Sequence, residues 1–320
     1  VLGDATLATG LTLRAGVRVE SASLGVTTFQ PFQPDATPVR AALDAVDALP
    51  AATLTWRFRE RQDGSSMALR FGLARTVARP DLREMSPATF NDVTGGRQIF
   101  GNPDLGRAQI DHLDLRWEWY PQPGAALSLG VFGKRFTDPI ETIVVPSAQL
   151  SVTYQNARGA LSGGVELEGR LGLSSLLPDA AALAGLWISA NAALIASRVD
   201  VGGAGSIQTS KVRPLQGQSP WVGNLALGWD HDASGTTAAL SWNAFGARIV
   251  TVGALGAPDV YEQTRPALDL VLGQSLGGGW KLGAKASNLL DPELRLEQGG
   301  AVVDRSRAGR RFSLTVTRAL

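Results

Sequence analysis

Between Leu11 and Glu20 the odd positions are all apolar (Leu11, Leu13, Ala15, Val17 and Val19), while Thr12, Arg14, Gly16, Arg18 and Glu20 fill the even ones. Side chains of a strand point alternately to its two faces, so this segment predicts a strand with one oily and one charged side. The period returns in Leu54, Trp56 and Phe58 against Thr53, Thr55, Arg57 and Arg59, and in Met67, Leu69, Phe71 and Leu73 against Ala68, Arg70 and Gly72. It returns again in Leu113, Leu115, Trp117 and Trp119 against His112, Asp114, Arg116 and Glu118. Further runs lie at Leu127 to Val131, Val165 to Leu173, Trp221 to Trp229, Leu268 to Leu272, Trp280 to Ala286 and Phe312 to Val316, for about twelve strands in all. The fold class is all-β and antiparallel. Alternation alone fits a sandwich with one wet face as well as a barrel.

The connections separate these two architectures. Tight turns are expected at Gln62 to Ser65, Pro121 to Gly124, Asp232 to Gly235 and Gly277 to Gly279, with a longer one at Ser174 to Leu183. Between them run long polar or Pro-bearing loops at Gln30 to Ala48, Arg79 to Gln109, Asp138 to Ser151, Asp200 to Ser219, Thr251 to Glu262 and Asp291 to Ala308. Short turns on one rim and long loops on the other describe a transmembrane β-barrel with periplasmic turns and extracellular loops. Trp56, Phe58, Trp117, Trp119, Tyr120, Trp229 and Trp280 fall at the short-turn ends, where an interfacial girdle belongs. The opposite strand faces carry Arg14, Glu20, His112, Asp114, Arg116, Glu118, Glu166, Glu168 and Arg170. These are expected to line the lumen and to pair with one another or with a plug, because lipid costs about 2–4 kcal/mol for each Arg or Lys at the midplane. Pro38 to Ala48 and Asp179 to Gly185 could each hold a short helix.

Composition narrows the function classes. With 37 Gly, 18% charged residues and a net charge of +1 over 320 residues, the chain is neither a disordered tail nor a nucleic-acid-binding face. There are no cysteines, which excludes disulfides and thiolate chemistry. The most apolar run, Ala180 to Ala196, falls short of the roughly 20 residues of a spanning helix, so a membrane would be crossed by strands. No cofactor or metal is expected, since His112 and Asp114 are only two ligands on one wall. The start at Val1, with no Met or leader-like segment, is that expected of a fragment.

The order of several motifs adds a resemblance. Ala78-Arg79-Pro80-Asp81-Leu82-Arg83-Glu84-Met85-Ser86-Pro87 is followed by Gly101-Asn102-Pro103-Asp104-Leu105 and then Asp114-Leu115-Arg116-Trp117-Glu118-Trp119-Tyr120-Pro121. Gly133 to Glu141, Asn156 with Gly163 to Glu168, and Asn288-Leu289-Leu290-Asp291-Pro292 complete the series. From Val17 onward this series resembles the barrel of TonB-dependent outer-membrane receptors. The resemblance implies that residues 1–320 are the C-terminal part of a barrel of about 22 strands, without the plug domain or the TonB-contacting segment of such receptors. It implies a place in the Gram-negative outer membrane. Its partners there would be outer-membrane lipid, the plug of the same full-length chain, the TonB complex and a small nutrient ligand such as a ferric siderophore, a cobalamin-like compound or a glycan. Leu320 stands where an aromatic residue usually ends such barrels.

Within that frame the long loop from Arg79 to Gln109 is the candidate ligand contact, with Arg79, Arg83, Arg97 and Gln98 as the polar residues to test. A self-contained passive pore or autotransporter-like barrel shares the same physical arguments. An outer-membrane hydrolase would need an imidazole beside a hydroxyl or a facing acid pair at the rim, and neither His112, His231, Glu20 nor Glu141 shows one in sequence. The expectation is of a transporter and not an enzyme.

Overall fold

A computed structural model describes residues 1–29, 37–61, 64–90, 97–147, 150–175, 184–202 and 207–318. Thirteen strands follow chain order in one antiparallel sheet. They are β1 (Leu2–Ala8), β2 (Leu11–Thr28), β3 (Val39–Glu60), β4 (Ser66–Ala78), β5 (Ala108–Tyr120), β6 (Ala126–Thr137), β7 (Gly159–Gly172), β8 (Leu186–Asp200), β9 (Trp221–His231), β10 (Thr236–Phe245), β11 (Ala267–Gly277), β12 (Trp280–Ser287) and β13 (Arg311–Arg318). Each pairs with the next, and Val212–Arg213 adds a short strand beside β8. Among the described residues β1 and β13 do not pair with each other, so the sheet is an open wall with both edge strands exposed throughout.

The alternation in sequence sets the two faces of this wall. Along one register Leu54 lies opposite Phe71, Phe71 opposite Leu115, Leu115 opposite Val131, Val131 opposite Val165, and Val165 opposite Leu194. From Phe71 to Leu194 these side chains are 40–66% exposed. Water does not support so wide an apolar surface, whereas hydrocarbon does. On the other face Arg70 lies opposite Arg116, His112 opposite Lys134, and Glu168 between Ser128 and Asn191, with Asn191 opposite Asn224 and Asn224 opposite Asn243. A register slip of one residue would exchange the faces, so burial of one face in lipid fixes the pairing.

The β1–β2, β3–β4, β5–β6, β7–β8, β9–β10 and β11–β12 connections all close on one rim, and the longer ones all lie on the other. Of the two two-residue connections on the short-turn rim, the one after β11 has Gly277, Gly278 and Gly279 at φ of 78°, 56° and 78°, a left-handed region that residues with a Cβ avoid. The short-turn segments at Gln62 and Asp63 and at 176–183, the latter carrying most of the second expected helix, lie outside the described residues.

Two expectations change. A hairpin partner, β1, precedes the first strand read from the sequence, and from Val39 the loop and short helix expected before Ala48 are strand instead, while residues 30–36 lie outside the described residues. From Thr28↔Val39 to Leu11↔Trp56 the β2–β3 pair is continuous, because cross-strand partners override the helix propensity of the alanines at 41, 42, 45 and 48. At 18 and 22 residues these strands are about twice the roughly 9–11 needed to span the bilayer. Their far ends therefore stand above the wall on the long-loop rim.

The buried apolar core lies in the loops. Val144, Ile249, Val252 and Ala254 form one cluster with Leu150, Ile207 and Tyr261 against it. The loops carry their own small sheets. One joins Thr89–Phe90, Ile99–Phe100, Val152–Asn156 and Ile140–Val144, and the other Arg248–Thr251, Val260–Glu262, Leu294–Gln298 and Ala301–Ser306. A second cluster, Ala157, Ala160, Val199 and Val201 with Phe136 and Leu215, seats this layer on the ends of β6, β7 and β8.

Candidate functional site

The loop layer on the long-loop rim is the part of the molecule able to present a ligand surface. Its first unit is the segment after β4. Asp81 caps the helical turn Leu82–Met85, accepting from the Arg83 amide at 2.9 Å while the Glu84 carboxylate accepts from the Asp81 amide at 2.9 Å. Met85, fully buried, anchors the turn. Gly101 then passes so close that a Cβ there would lie 2.6 Å from the Glu84 carbonyl oxygen, and nearer still to that of Ser86. Its amide donates to the Ser86 carbonyl at 2.8 Å, and the Asn102 amide donates to the Glu84 carbonyl at 2.6 Å. Asn102 also donates to the Tyr154 carbonyl at 2.9 Å, and Asn156 exchanges hydrogen bonds with the Gly106 backbone. The motifs at 78–87, at 101–105 and at Asn156 thus fasten the loop layer.

Ion pairs clamp this unit to the projecting hairpin. Glu20 and Asp47 lie directly opposite each other on β2 and β3, an arrangement that repels unless neutralised. Arg79, at the start of the loop, donates to Glu20 at 2.9 Å and to Asp47 at 2.8 Å. Arg107, at its end, pairs with the same Asp47, whose side chain is 2% exposed. Arg79 therefore sits among carboxylates and holds the loop. Arg83 is exposed, with its charge felt at Tyr154, whose hydroxyl is pushed above its ordinary pKa by burial and then by Glu84, with Arg83 opposing. Arg97 reaches a different loop, donating to the Val252 carbonyl at 3.1 Å, and the Gln98 carbonyl accepts from the Val152 amide at 2.8 Å.

Other polar links in the layer were not visible in the sequence. Arg213 and Glu141, with side chains 2% and 6% exposed, pair at 2.7 Å between the β8–β9 and β6–β7 connections. Burial raises the Glu141 carboxyl above the usual carboxylate range, with the Arg213 guanidinium acting against that rise. Glu262 receives Arg265 at 2.9 Å and Arg248 at 2.7 Å. Its burial alone would raise the carboxyl, but hydrogen bonds from these two arginines outweigh it and hold the group low. Gln208 donates to the Val144 carbonyl at 3.0 Å and bridges to Ala254, closing the apolar cluster.

The charges read as wall-lining all lie on the polar face of the sheet. Arg70 donates to Thr55 and to Glu118 at 2.9 Å, Arg116 lies 3.4 Å from Glu118 and donates to Glu168 at 2.7 Å, and small Ser128 and Gly130 on β6 leave room for the crossing. Arg14 pairs with Asp4 of β1 at 2.6 Å, His112 bonds the Thr76 hydroxyl at 2.8 Å, and Arg170 lies over the Trp187 ring at 5.1 Å. Asp114 and Glu166 share the face, opposite Phe132 and Gly130. Among the described residues no three His, Asp or Glu gather as a metal-ligand set.

An antiparallel wall with one apolar and one polar face, short turns on one rim and a packed loop layer on the other has the make-up of an outer-membrane β-barrel. Residues 2–289 match the family described as TonB dependent receptor-like, beta-barrel, and the chain belongs to that family. Its place is the outer membrane of a Gram-negative envelope. Solved structures agree in fold. A ferric enterobactin receptor variant from Pseudomonas aeruginosa is 16% identical with a TM-score of 0.61, over 98% of this chain and 44% of that one. The ferric yersiniabactin uptake receptor from Yersinia pestis is 14% identical with a TM-score of 0.64, over 98% and 44%. The copper transporter OprC is 17% identical with a TM-score of 0.63, over 97% and 45%. The chain thus spans less than half the length of each. No curated protein sequence matches it.

Proposed function

We propose that this chain supplies wall and rim to an energy-dependent receptor that carries a scarce nutrient across the outer membrane. The nutrient is a ferric siderophore, a cobalamin-like compound or a glycan; the siderophore is favoured by the receptors named above. In this reading the polar face lines the lumen against the plug of the full-length chain, TonB supplies the energy through that plug, and the loop layer with Arg83 and Arg97 meets the ligand. The carrying observation is that the long loops pack on a buried core and are clamped by Arg79 and Arg107, which supports a fixed docking surface over an open pore mouth. The open wall adds support, because unpaired strand edges are not tolerated in hydrocarbon and require further strands.

The test takes the native protein from purified outer membranes, measures its intact mass and maps peptides preceding Val1, then follows radio-iron uptake from a panel of ferric siderophores with and without a protonophore. A longer chain with protonophore-sensitive uptake is expected. A mature protein starting at Val1 that conducts small solutes without energy would overturn the reading in favour of a passive pore.

A further inference from the structure

Above the apolar band, the lipid-facing side of the wall carries a row of charges. Arg75 of β4 lies opposite Asp111 of β5, Asp111 opposite Arg135 of β6, Arg135 opposite Leu161 of β7, and Leu161 opposite Arg198 of β8. All five share the parity of Leu73, Leu113, Val131, Val165 and Leu194, so they stand on the apolar face. The residues facing the other way at this level, Phe136, Ala160 and Val199, pack under the loop layer, which fixes the outward direction of the row. Arg135 is four residues beyond exposed Val131, about 13 Å along the strand and on the long-loop side.

Arg75 and Asp111 pair at 2.6 Å and satisfy each other. Among the described residues Arg135 and Arg198 have no ion-pair partner and are exposed, with Leu161, 61% exposed, between them. Together with Arg158, Phe136 and Asp200 they line a cavity of about 660 Å³. Arg158 is only loosely engaged there, 3.9 Å from Asp200.

We propose that this cavity binds the phosphorylated headgroup of an outer-leaflet lipid, with Arg135 and Arg198 on the phosphate and Leu161 against the first methylenes of its chains. The inference rests on reading the apolar face as lipid-facing. Two features commit it to a lipid over a soluble anion. Leu161 in the cavity lining shares its strand face with exposed Val131, Val165 and Leu194 below, and a planar guanidinium pair separated by one exposed leucine complements an amphiphile with an anionic head. Exposed arginines that face a low-dielectric medium are otherwise costly, and the two carboxylates nearby, Asp111 and Asp200, are engaged by Arg75 and Arg158.

The test uses the full-length receptor in mild detergent and native mass spectrometry, with bisphosphorylated lipid A, its dephosphorylated form and inorganic phosphate as probes. Wild-type protein is expected to retain the bisphosphorylated lipid over the dephosphorylated one. The pair Arg135→Gln and Arg198→Gln should lower its binding about thirtyfold, the ratio equivalent to two interfacial cations at about 1 kcal/mol each. Asp111→Asn, which frees Arg75, should raise binding. Equal retention of both lipids, no loss in the double variant at unchanged thermal stability, or full displacement by inorganic phosphate would each overturn the proposal. The siderophore-uptake result does not enter, so failure here is distinguishable from failure of the receptor reading.

Discussion

Replacing Arg213 by Ala leaves the Glu141 carboxylate buried without its cation. Both side chains are almost wholly enclosed, and Arg213 also donates to the Pro214 carbonyl at 3.1 Å, so the pair ties two connections of the loop layer together. Breaking a buried pair from one side costs about 3–5 kcal/mol, whereas replacing both partners by apolar groups of similar size is often neutral. The single variant should therefore lose at least about a hundredfold of hydrogen-exchange protection at residues 138–158 and 207–219 of the full-length receptor, while Arg213→Met with Glu141→Leu stays near wild type. The pH dependence has a definite sign. Burial raises the Glu141 carboxyl, and removing Arg213 raises it further. A raised folded-state pKa means that the folded layer binds the proton more tightly than the unfolded one, so stability is present below the unfolded value and falls as pH rises through the folded one. After correction for intrinsic exchange, the single variant should recover protection as pH drops from about 8 to about 5. Equal protection in single variant and wild type, equal loss in single and double variants, or greater loss at low pH would refute the reasoning.

Three further outcomes follow from other parts of the molecule. Gly101→Ala should loosen the Arg79 to Arg107 loop by roughly 1–3 kcal/mol, seen as faster proteolysis there, since its Cβ has no room beside the Glu84 and Ser86 carbonyls. Asp47→Ala removes the shared acceptor of Arg79 and Arg107 and should raise hydrogen exchange at both ends of that loop by about 1.5–3 kcal/mol or more, while the β5–β6 hairpin keeps its protection. Val131→Arg places a cation in the apolar band and should destabilise refolding into phosphatidylcholine vesicles by about 2–4 kcal/mol, whereas Glu166→Lys, exposed on the polar face between Gly130 and Ala193, should change it little.

The wall was legible because its code is a parity. Leu113, Leu115, Trp117 and Trp119 announce one face wherever the strand ends, and the alternation of short and long connections gave the rims. Lengths were less legible, since Pro38 to Ala48 carries an Ala-rich composition whose strand state is decided by β2, opposite it. The loop layer escaped for a related reason. Strands such as Thr89–Phe90 and Val260–Glu262 are too short to show a period, and Arg213 meets Glu141 across 72 residues. Of the candidate contacts, Arg79 neutralises Glu20 and Asp47, and Arg107, outside the candidate set, shares Asp47 with it. With residues 39–47 in strand, Asp47 shares the parity of Thr53 and Thr55 and falls on the polar face beside Glu20.

The division between a wall without a core and a rim with one sets different rules for change in each. On the wall a residue answers mainly to the medium it meets, so Leu for Val or Thr for Ser exchanges freely as long as parity is kept, and few positions demand a particular side chain. On the rim, Gly101, Asn102, Asp81 and Asn156 answer to single atoms of neighbouring backbone, and at Gly101 a Cβ has no room. Sequence can therefore drift to 14–17% identity while the shape persists at TM-scores of 0.61–0.64. A rhythm along the strands can outlast such drift, because it asks only for parity.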